Sequence, residues 1–239
     1  MAQIAVGPPP SRENPAEMTR MARVMLKEWP FHLAHRGNHR KRVFRTDDDR
    51  RAYLRLLDRF AKKFGMSVWA YCLMRNHIHL IAVGKQRSSI PKALGNTHRV
   101  FSRVRNQETG VTGHLWANRY FSTALDEPHL WVAVRYVELN PVRAQLVREA
   151  TDYPWSSARA HAGLQVNPIL DPDRPFPGHI GDWKAWLRIG LEEQTAERLR
   201  ANTSTGRPTG SDGFVRELEV RLGRRLRPRK RGPDSRESQ

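Results

Sequence analysis

Two histidines one residue apart are the first side chains in this sequence whose types and spacing suggest chemistry. His77 and His79 lie in the run HIHLIAV, whose β-branched and apolar content, without Gly or Pro, predicts a strand. Residues i and i+2 of a strand point to the same face, so both imidazoles leave one side of the predicted sheet. Burying two imidazoles among apolar residues is costly unless something binds them. A divalent metal ion is a natural partner, and a purely structural pair of histidines is the alternative.

A tyrosine and an asparagine four residues apart form a second pair. Asp126 can cap a helix whose apolar residues recur at helical spacing up to Val137, and Pro141 cannot continue that helix. The proline also biases Asn140 away from helical geometry, so Tyr136 is expected in the last turn. Residues i and i+4 share a helix face, so the phenol and the amide lie together. They are either a nucleophile and a metal ligand or a packed tyrosine and a terminating cap.

The composition points to a polyanionic partner. The 239 residues include 42 Lys and Arg against 24 Asp and Glu, which gives a formal net charge of +18 and a pI near 11.1. Nucleic acid is the first candidate partner and an anionic membrane surface the second. No apolar run approaches the roughly 18–20 residues of a transmembrane helix, and the N-terminus has no apolar signal region, so a cytoplasmic protein is expected. The single cysteine, Cys72, excludes an intramolecular disulfide and a cysteine-based zinc site.

The remaining patterns predict the elements that must position these pairs, in the order β, α, β, β, α, β, α. Thr46 and Asp49 suit a capping box ahead of an apolar stripe, and Gly65 suits the end of that helix. A tight connection through Arg75 joins HIHLIAV to the preceding strand as a hairpin. This order predicts an α+β fold with helices packed on a largely antiparallel sheet. The predicted strands are 29–34, 67–73, 77–83 and 114–125, and the predicted helices begin at Thr46, at Ser88 or Ser89, and at Asp126.

Shifts in composition divide the chain into four segments. Residues 1–22, with three consecutive prolines, suit a flexible leader, and residues 23–162 hold the predicted sheet and helices. Residues 163–212 are expected to form a linker with one helical segment. Residues 213–239 are expected to form a helix followed by a basic tail that binds nucleic acid electrostatically. A merely solubilising tail is the alternative.

Basic and amide side chains on predicted loops, on the polar face of the second helix and in the tail are candidates for contact with nucleic acid. A solvated basic face is the alternative for the helix. Tyr120, in the predicted strand 114–125, is a rival nucleophile because its hydroxyl could also face a metal ion. The candidate nucleic-acid contacts are Arg36, Asn38, Arg40, Arg99, Arg103, Arg119, Arg224, Arg225, Arg227, Arg229, Lys230 and Arg231.

Several blocks of this sequence, taken in order, are similar to one known family. The blocks YCLMRNHIHLIAV, LWANRYFSTAL, VRYVELNPVRAQLV and YPWSSARAHAG resemble the REP-associated tyrosine transposases. These are domesticated relatives of the single-strand insertion-sequence transposases in the HUH endonuclease class. The likeness runs from about residue 29 to 163 and returns at about 206–232. Arg75 departs from it, because the family usually has proline there, and the change is expected to alter the turn and not the metal ligands.

The resemblance implies an HUH-type fold with a ferredoxin-like or RRM-like core and a basic helical C-terminal extension. It implies that His77, His79 and Asn140 bind Mg²⁺ or Mn²⁺. It also implies that Tyr136 attacks single-stranded DNA and forms a 5′-phosphotyrosine, while Tyr120 is structural or in contact with DNA. The implied substrate is a hairpin from repetitive extragenic palindromes together with a short flanking guide sequence.

Two other functions stay open at this stage. One is a nickase related to replication initiators or relaxases, although these commonly have other motif orders and often ATPase regions, and no P-loop pattern occurs here. The other is a protein that keeps the fold and binds structured single-stranded nucleic acid without cleaving it. The family contains both monomers and dimers, so the sequence does not decide the oligomeric state.

Overall fold

The computed structural model describes residues 22–173 and 180–227, which form a four-stranded sheet with helices on both faces. The strands are β1 (Pro30–Arg36), β2 (Met66–Leu73), β3 (His77–Gly84) and β4 (Phe121–Ala124). The helices of these ranges are α1 (Asp47–Phe64), α2 (Ser89–Thr109), α3 (Glu127–Glu138), α4 (Asn140–Arg143), α5 (Ala158–His161), α6 (Trp183–Arg188), α7 (Glu193–Thr205) and α8 (Asp212–Leu222), with short 3-10 turns at Asn38–Arg40 and Ala150–Asp152. No helix in the described ranges combines the length and the apolar character needed to cross a bilayer.

The sheet has the order β2-β3-β1-β4, and each neighbouring pair is antiparallel. The chain runs β1-α1-β2-β3-α2-β4 through it, which is the ferredoxin-like arrangement of two split β-α-β units. The predicted α+β fold with a largely antiparallel sheet is therefore confirmed.

Local signals explain where the main elements begin and end. The backbone N–H of Asp49 donates to Thr46 Oγ1 at 3.3 Å and the backbone N–H of Thr46 donates to Asp49 Oδ2 at 3.0 Å, so the capping box starts α1 as predicted. Gly65 ends α1 with a φ of 66°, a conformation that glycine adopts without steric cost. The β2–β3 hairpin closes where the N–H of Met74 donates to the carbonyl of His77 at 2.9 Å.

Two cores lie on opposite faces of the sheet. On the first face, called the α1/α2 face, Leu33 and Leu80 pack with residues of α1 and α2. On the second, called the α3 face, Cys72 and Ile81 pack with residues of α3 and α7, and Cys72 is fully buried. The sheet is therefore buried on both sides, and side chains that alternate along β1 and β3 enter different cores.

Two predicted elements differ from the structure. The predicted strand 114–125 is regular only over Phe121–Ala124, because Asn118 has a φ of 43° and interrupts the extended backbone. The expectation that Pro141 keeps Asn140 out of helical geometry was wrong. Asn140 begins α4, and Pro141 lies in the first turn of that helix, where its missing N–H costs no intrahelical hydrogen bond.

The predicted linker 163–212 contains two helices, α6 and α7, where one helical segment was expected. Helix α7 runs to Thr205 and contacts β1 and β4. Helix α8 packs against the same core as the sheet, with Phe214 stacked on Trp29 at 5.7 Å between ring centroids. The division into four domains stays a prediction. Residues 1–21 of the leader, and Arg229, Lys230 and Arg231, lie outside the described residues.

Candidate active site

Three histidines and a tyrosine meet on the α3 face of the sheet. His79 on β3 pairs with Ala34 of β1, and His32 lies two residues before Ala34, so both imidazoles point to the same side. Helix α3 brings Tyr136 over them. The Tyr136 ring centroid lies 5.5 Å from that of His79 and 5.7 Å from that of His32, and His77 and His79 are 5.0 Å apart.

These rings line a cavity of about 530 Å³ that α7 completes from the other side. Arg200, Thr203 and Ser204 are the lining residues from α7, and Asn140 lines it from α4. The four residues predicted from the sequence to carry the chemistry therefore share one cavity. The residues that line this cavity include His32, Arg36, His77, His79, Tyr136, Asn140, Arg200 and Thr203.

Tyr136 is buried, with 5% of its surface exposed. Burial raises the pKa of its phenol above the usual value, while the guanidinium groups of Arg200, Arg143 and Arg36 act in the opposite direction. The Arg143 guanidinium carbon lies 5.5 Å from the centre of the phenol ring. Glu193 joins two of these cations, because it accepts hydrogen bonds from both Arg143 and Arg200. The phenol is thus buried, with three guanidinium groups that favour its ionisation and the carboxylate of Glu193 that opposes it.

The tautomer of His77 follows from its neighbours. Asn76 Nδ2 donates to the carbonyl of Arg40 at 3.2 Å, so the amide oxygen of Asn76 faces His77 and lies 2.7 Å from Nδ1. An amide oxygen only accepts, so His77 Nδ1 carries the proton and its Nε2 keeps a lone pair. Burial and the charge of Arg36 lower the pKa of His77 to about 4, which keeps the ring neutral at pH 7.

His79 is held in a similar way by a residue that sequence reasoning missed. Its Nδ1 lies 2.9 Å from His32 Nε2, which leaves His79 Nε2 without a part in that contact. Burial lowers the pKa of His79 well below its usual value, and the neighbouring His77, His32 and Arg36 lower it further. A neutral imidazole with one nitrogen hydrogen-bonded to a protein group is the usual state of a metal-binding histidine.

Asn140 serves both as a helix cap and as a lining residue. Its Nδ2 donates to the carbonyls of Tyr136, at 2.9 Å, and Val137, at 3.4 Å. Because the amide nitrogen donates to the backbone, the oxygen Oδ1 remains available as an acceptor. The two interpretations of the pair, cap and ligand, are therefore compatible.

The donor set leaves room for a divalent cation that retains water. In residues 22–173 and 180–227 no group of three or more His, Cys, Asp or Glu is arranged to hold a metal ion, so His77 and His79 would need the amide oxygen of Asn140 as the third protein ligand. Two imidazole nitrogens and one oxygen leave coordination positions for water and substrate, as Mg²⁺ or Mn²⁺ requires.

Tyr120 lies in a different environment from Tyr136. The Arg23 guanidinium carbon is 3.7 Å from the centre of its ring, and His35 is 6.4 Å away between ring centroids. His35 is three residues after His32 on β1 and enters the α1/α2 face, where it contacts His98. Tyr120 does not line the cavity that contains Tyr136 and His79.

The predicted nucleic-acid contacts are spread over several surfaces. Arg36 lines the cavity beside His77, whereas Arg99 and Arg119 line a separate groove with Arg23. Asn38 lines a third groove with Lys41, Arg42 and Arg45. Arg40 and Arg103 are exposed.

In the C-terminal segment the predicted contacts make bonds within the chain. Arg224 donates to the carbonyl of Ala22 at 2.7 Å, and Arg227 donates to Glu219 through Nε at 3.0 Å and Nη2 at 2.6 Å. Arg225 is exposed. Arg224 and Arg227 are therefore already hydrogen-bonded to the protein, and the role of all three arginines in DNA binding stays a prediction.

Comparison with known families bears directly on this site. Residues 26–140 match the family model described as "Transposase IS200 like". These residues belong to the IS200-like transposase family. The matched segment includes all four strands and helices α1 to α3, and it ends at Asn140. Arg143, Arg200 and Thr203 lie beyond the match, so α7 is an addition to the family segment that borders its cavity.

One solved structure supports the same fold for this chain. This structure, described as a REP-associated tyrosine transposase bound to a REP hairpin, superposes with a TM-score of 0.50 at 16% identity, covering 68% of this chain and 99% of its own. A second, a crystal structure of a putative transposase from Deinococcus radiodurans, has a TM-score of 0.35 at 19% identity, covering 54% of this chain and 92% of its own. Among curated proteins none matches this chain.

Proposed function

We propose that this transposase cuts and rejoins single-stranded DNA through a covalent bond to Tyr136. The observation that carries the proposal is the placement of the Tyr136 phenol against His79, next to His77 and Asn140, in one cavity. Cleavage of a phosphodiester by a tyrosine requires that residues able to act as the nucleophile and as metal ligands lie together at one site.

The proposed reaction exchanges one phosphodiester bond for another. The Tyr136 phenolate attacks the phosphorus in line, the bond from phosphorus to the 3′ oxygen breaks, and the leaving oxygen takes up a proton to become a 3′-OH. The downstream strand remains attached to Tyr136 as a 5′-phosphotyrosine. A second 3′-OH can reverse the step on another strand, and no ATP is needed because the phosphotyrosine conserves the ester bond.

His77 and His79 through Nε2, and Asn140 through Oδ1, are the residues that would hold Mg²⁺ or Mn²⁺. The cation, when bound, polarises a non-bridging oxygen of the phosphate and offsets charge in the transition state. These side chains offer uncharged ligand atoms that are already oriented. Asn76 fixes the ring of His77, and the Tyr136 carbonyl fixes the amide of Asn140.

Cationic side chains supply a second source of electrostatic stabilisation. The charges of Arg200, Arg143 and Arg36 favour the Tyr136 phenolate. Arg36 and Arg200 also line the cavity and suit contact with the scissile phosphate. The role of Arg200 is our addition to the site predicted from the sequence, because α7 lies outside the matched family segment.

The proposed substrate is single-stranded DNA next to a REP-type hairpin. Two observations support this substrate. The net charge of this chain is +18, and the solved structure with a similar fold is described as bound to a REP hairpin. Arg36, Asn38, Arg40, Arg99, Arg103 and Arg119 would contact the DNA backbone, with the basic C-terminal residues as further contacts.

A labelled oligonucleotide tests the proposal. A pool of single strands, each carrying a hairpin with randomised flanks and a dye at the 3′ end, is incubated with protein and Mn²⁺ or Mg²⁺. The wild type is expected to form an adduct that retains the dye after denaturation, since the 3′ fragment stays on Tyr136. Tyr136→Phe should abolish the adduct without loss of hairpin binding, and Tyr120→Phe is the matched control that should retain it.

Two results would overturn the proposal. If the wild type binds the hairpin but never forms an adduct with either metal ion, the protein is a binder of structured DNA and not a nuclease. If Tyr136→Phe retains the adduct and Tyr120→Phe loses it, the nucleophile is the tyrosine of the other face.

A further inference from the structure

A chain of three hydrogen bonds leads from His79 to helix α7. His32 Nε2 lies 2.9 Å from His79 Nδ1, and His32 Nδ1 lies 2.9 Å from Thr203 Oγ1. Thr203 Oγ1 in turn donates to the carbonyl of Leu199 at 2.7 Å. His32, His79 and Thr203 are all buried, with exposed fractions of 1%, 8% and 4%.

The direction of each bond follows from its far end. The Leu199 carbonyl only accepts, so it takes the single hydroxyl proton of Thr203, and Thr203 Oγ1 must accept from His32 Nδ1–H. Burial favours the neutral form of His32, and a neutral imidazole with a proton on Nδ1 has a lone pair on Nε2. His79 must therefore donate through Nδ1–H, and its own lone pair lies on Nε2.

We propose that His32 and Thr203 are positioning residues, which fix His79 in the Nδ1–H tautomer so that its Nε2 is ready to bind the metal ion. The inference rests on the proposed function, since it assigns Nε2 of His79 to the cation. Neither residue touches the reacting atoms.

The same logic holds for His77, which strengthens the case. Its Nδ1–H donates to Asn76, whose amide donates to the carbonyl of Arg40. Each of the two proposed ligands is thus oriented by a series of hydrogen bonds that ends on a backbone carbonyl. For His77 this is the carbonyl of Arg40, in the loop after β1, and for His79 it is the carbonyl of Leu199, in α7. For His79 the terminal carbonyl and hydroxyl come from residues beyond the matched family segment, so α7 would be part of the metal site without supplying a ligand.

Thr203→Val is the most direct test, because valine keeps the volume and removes the hydroxyl. It leaves His32 Nδ1–H without an acceptor, so His32 is expected to move its proton to Nε2 and to donate to His79, which then carries its proton on Nε2. Thr205→Val is the matched control. Thr205 is equally buried on α7 and its hydroxyl donates to the carbonyl of Ala201 at 2.9 Å, but it makes no contact with the histidines.

Two measurements read out the effect without measuring DNA cleavage. Nitrogen-15 NMR of the histidine rings in metal-free protein reports the tautomer of His79, and Mn²⁺ titration followed by electron paramagnetic resonance reports affinity. The wild type and Thr205→Val are expected to show the Nδ1–H tautomer. Thr203→Val should shift His79 toward Nε2–H and weaken Mn²⁺ binding by about 10-fold or more, as loss of a group that orients a metal ligand does elsewhere. Thr203→Ser, which keeps a hydroxyl, should retain the Nδ1–H tautomer of His79 and the Mn²⁺ affinity of the wild type.

A wild-type His79 with its proton on Nε2 would overturn the inference, and so would Thr203→Val that binds Mn²⁺ as tightly as Thr205→Val. Failure of the proposed function looks different. In that case neither the wild type nor any variant forms the DNA adduct, while the tautomer of His79 in metal-free protein still responds to Thr203→Val.

Discussion

The ring of Tyr136 stands edge-on to the ring of His79, with centroids 5.5 Å apart and an angle of 89° between the planes. The two residues come from different layers, α3 and β3, so this contact depends on how the helix crosses the sheet. The perpendicular contact places the ring of the nucleophile in the proposed reaction beside the ring of a proposed metal ligand.

Asn140 offers a test that separates its two roles. Asn140→Leu removes both the amide oxygen and the donor to the Tyr136 carbonyl, so we expect Mn²⁺ affinity to fall by about 10-fold and the free energy of unfolding to fall by about 1 kcal/mol. Asn140→Asp keeps an oxygen ligand and loses the donor, so Mn²⁺ binding should persist while stability falls by a similar amount. Mn²⁺ titration and urea unfolding measure the two quantities. Equal loss of Mn²⁺ binding in both variants would contradict the ligand role.

Arg200 is expected to act on catalysis more than on folding. Its side chain is 45% exposed on α7 and pairs with Glu193, so its removal leaves the core intact. Arg200→Gln should lower the single-turnover rate of adduct formation by about 10²-fold, a typical effect of losing one group that stabilises transition-state charge. Arg198→Gln, an exposed arginine of the same helix outside the cavity, is the control for net charge. If both variants slow the reaction equally, Arg200 acts only through general attraction of DNA.

Much of the scaffold could be predicted from the sequence because its signals are local. The capping box at Thr46, the β2–β3 hairpin and the helix begun by Asp126 each depend on residues within a few positions of one another. The alternation in HIHLIAV correctly places His77 and His79 on one face of a strand. Tyr136 and Asn140 follow from helical spacing in the same way.

The rest of the site depends on contacts between distant parts of the chain. His32 is visible in the first strand, but only the register of β1 on β3 shows that it meets His79 and that His35 does not. Arg200 and Thr203 lie in a segment that was predicted to be a linker because its first part is rich in Pro and Gly. That α7 covers the cavity follows from packing on β1 and β4, which no local pattern encodes.

Glu138 is expected to be a major source of stability for the helix that carries Tyr136. Its side chain is fully buried and accepts hydrogen bonds from His161 Nδ1 at 2.6 Å, from Trp183 Nε1 at 2.7 Å and from Ser157 Oγ. Glu138→Leu leaves three buried donors without this acceptor and should lower the free energy of unfolding by about 3–5 kcal/mol. Glu149→Gln, which breaks a more exposed pair with Arg188, should cost at most about 1 kcal/mol. Urea unfolding of both variants tests the contrast, and similar losses would show that the cluster is not specially stabilising.

His98 is expected to make folding stability depend on pH. It is buried between α1 and β1, where Tyr53 Oη lies 2.9 Å from its Nε2 and His35 Nδ1 lies 3.1 Å from its Nδ1. Burial lowers the pKa of His98 well below 6.5, and the neighbouring His35 lowers it further. The unfolded state therefore binds more protons than the folded state below pH 6.5, so this residue makes stability fall as the pH falls through that value.

Replacing His98 should reduce that pH dependence. One such histidine contributes up to about 1.4 kcal/mol per pH unit below pH 6.5, so His98→Gln should lose up to that much slope between about pH 6 and 5. Its stability at pH 7.5 should also be lower, because the contacts with Tyr53 and His35 are altered. His114→Gln, which removes a histidine at an exposed position, is the matched substitution for comparison. Urea unfolding at a series of pH values measures the slopes, and an unchanged slope in His98→Gln would mean that His98 is already protonated in the folded protein.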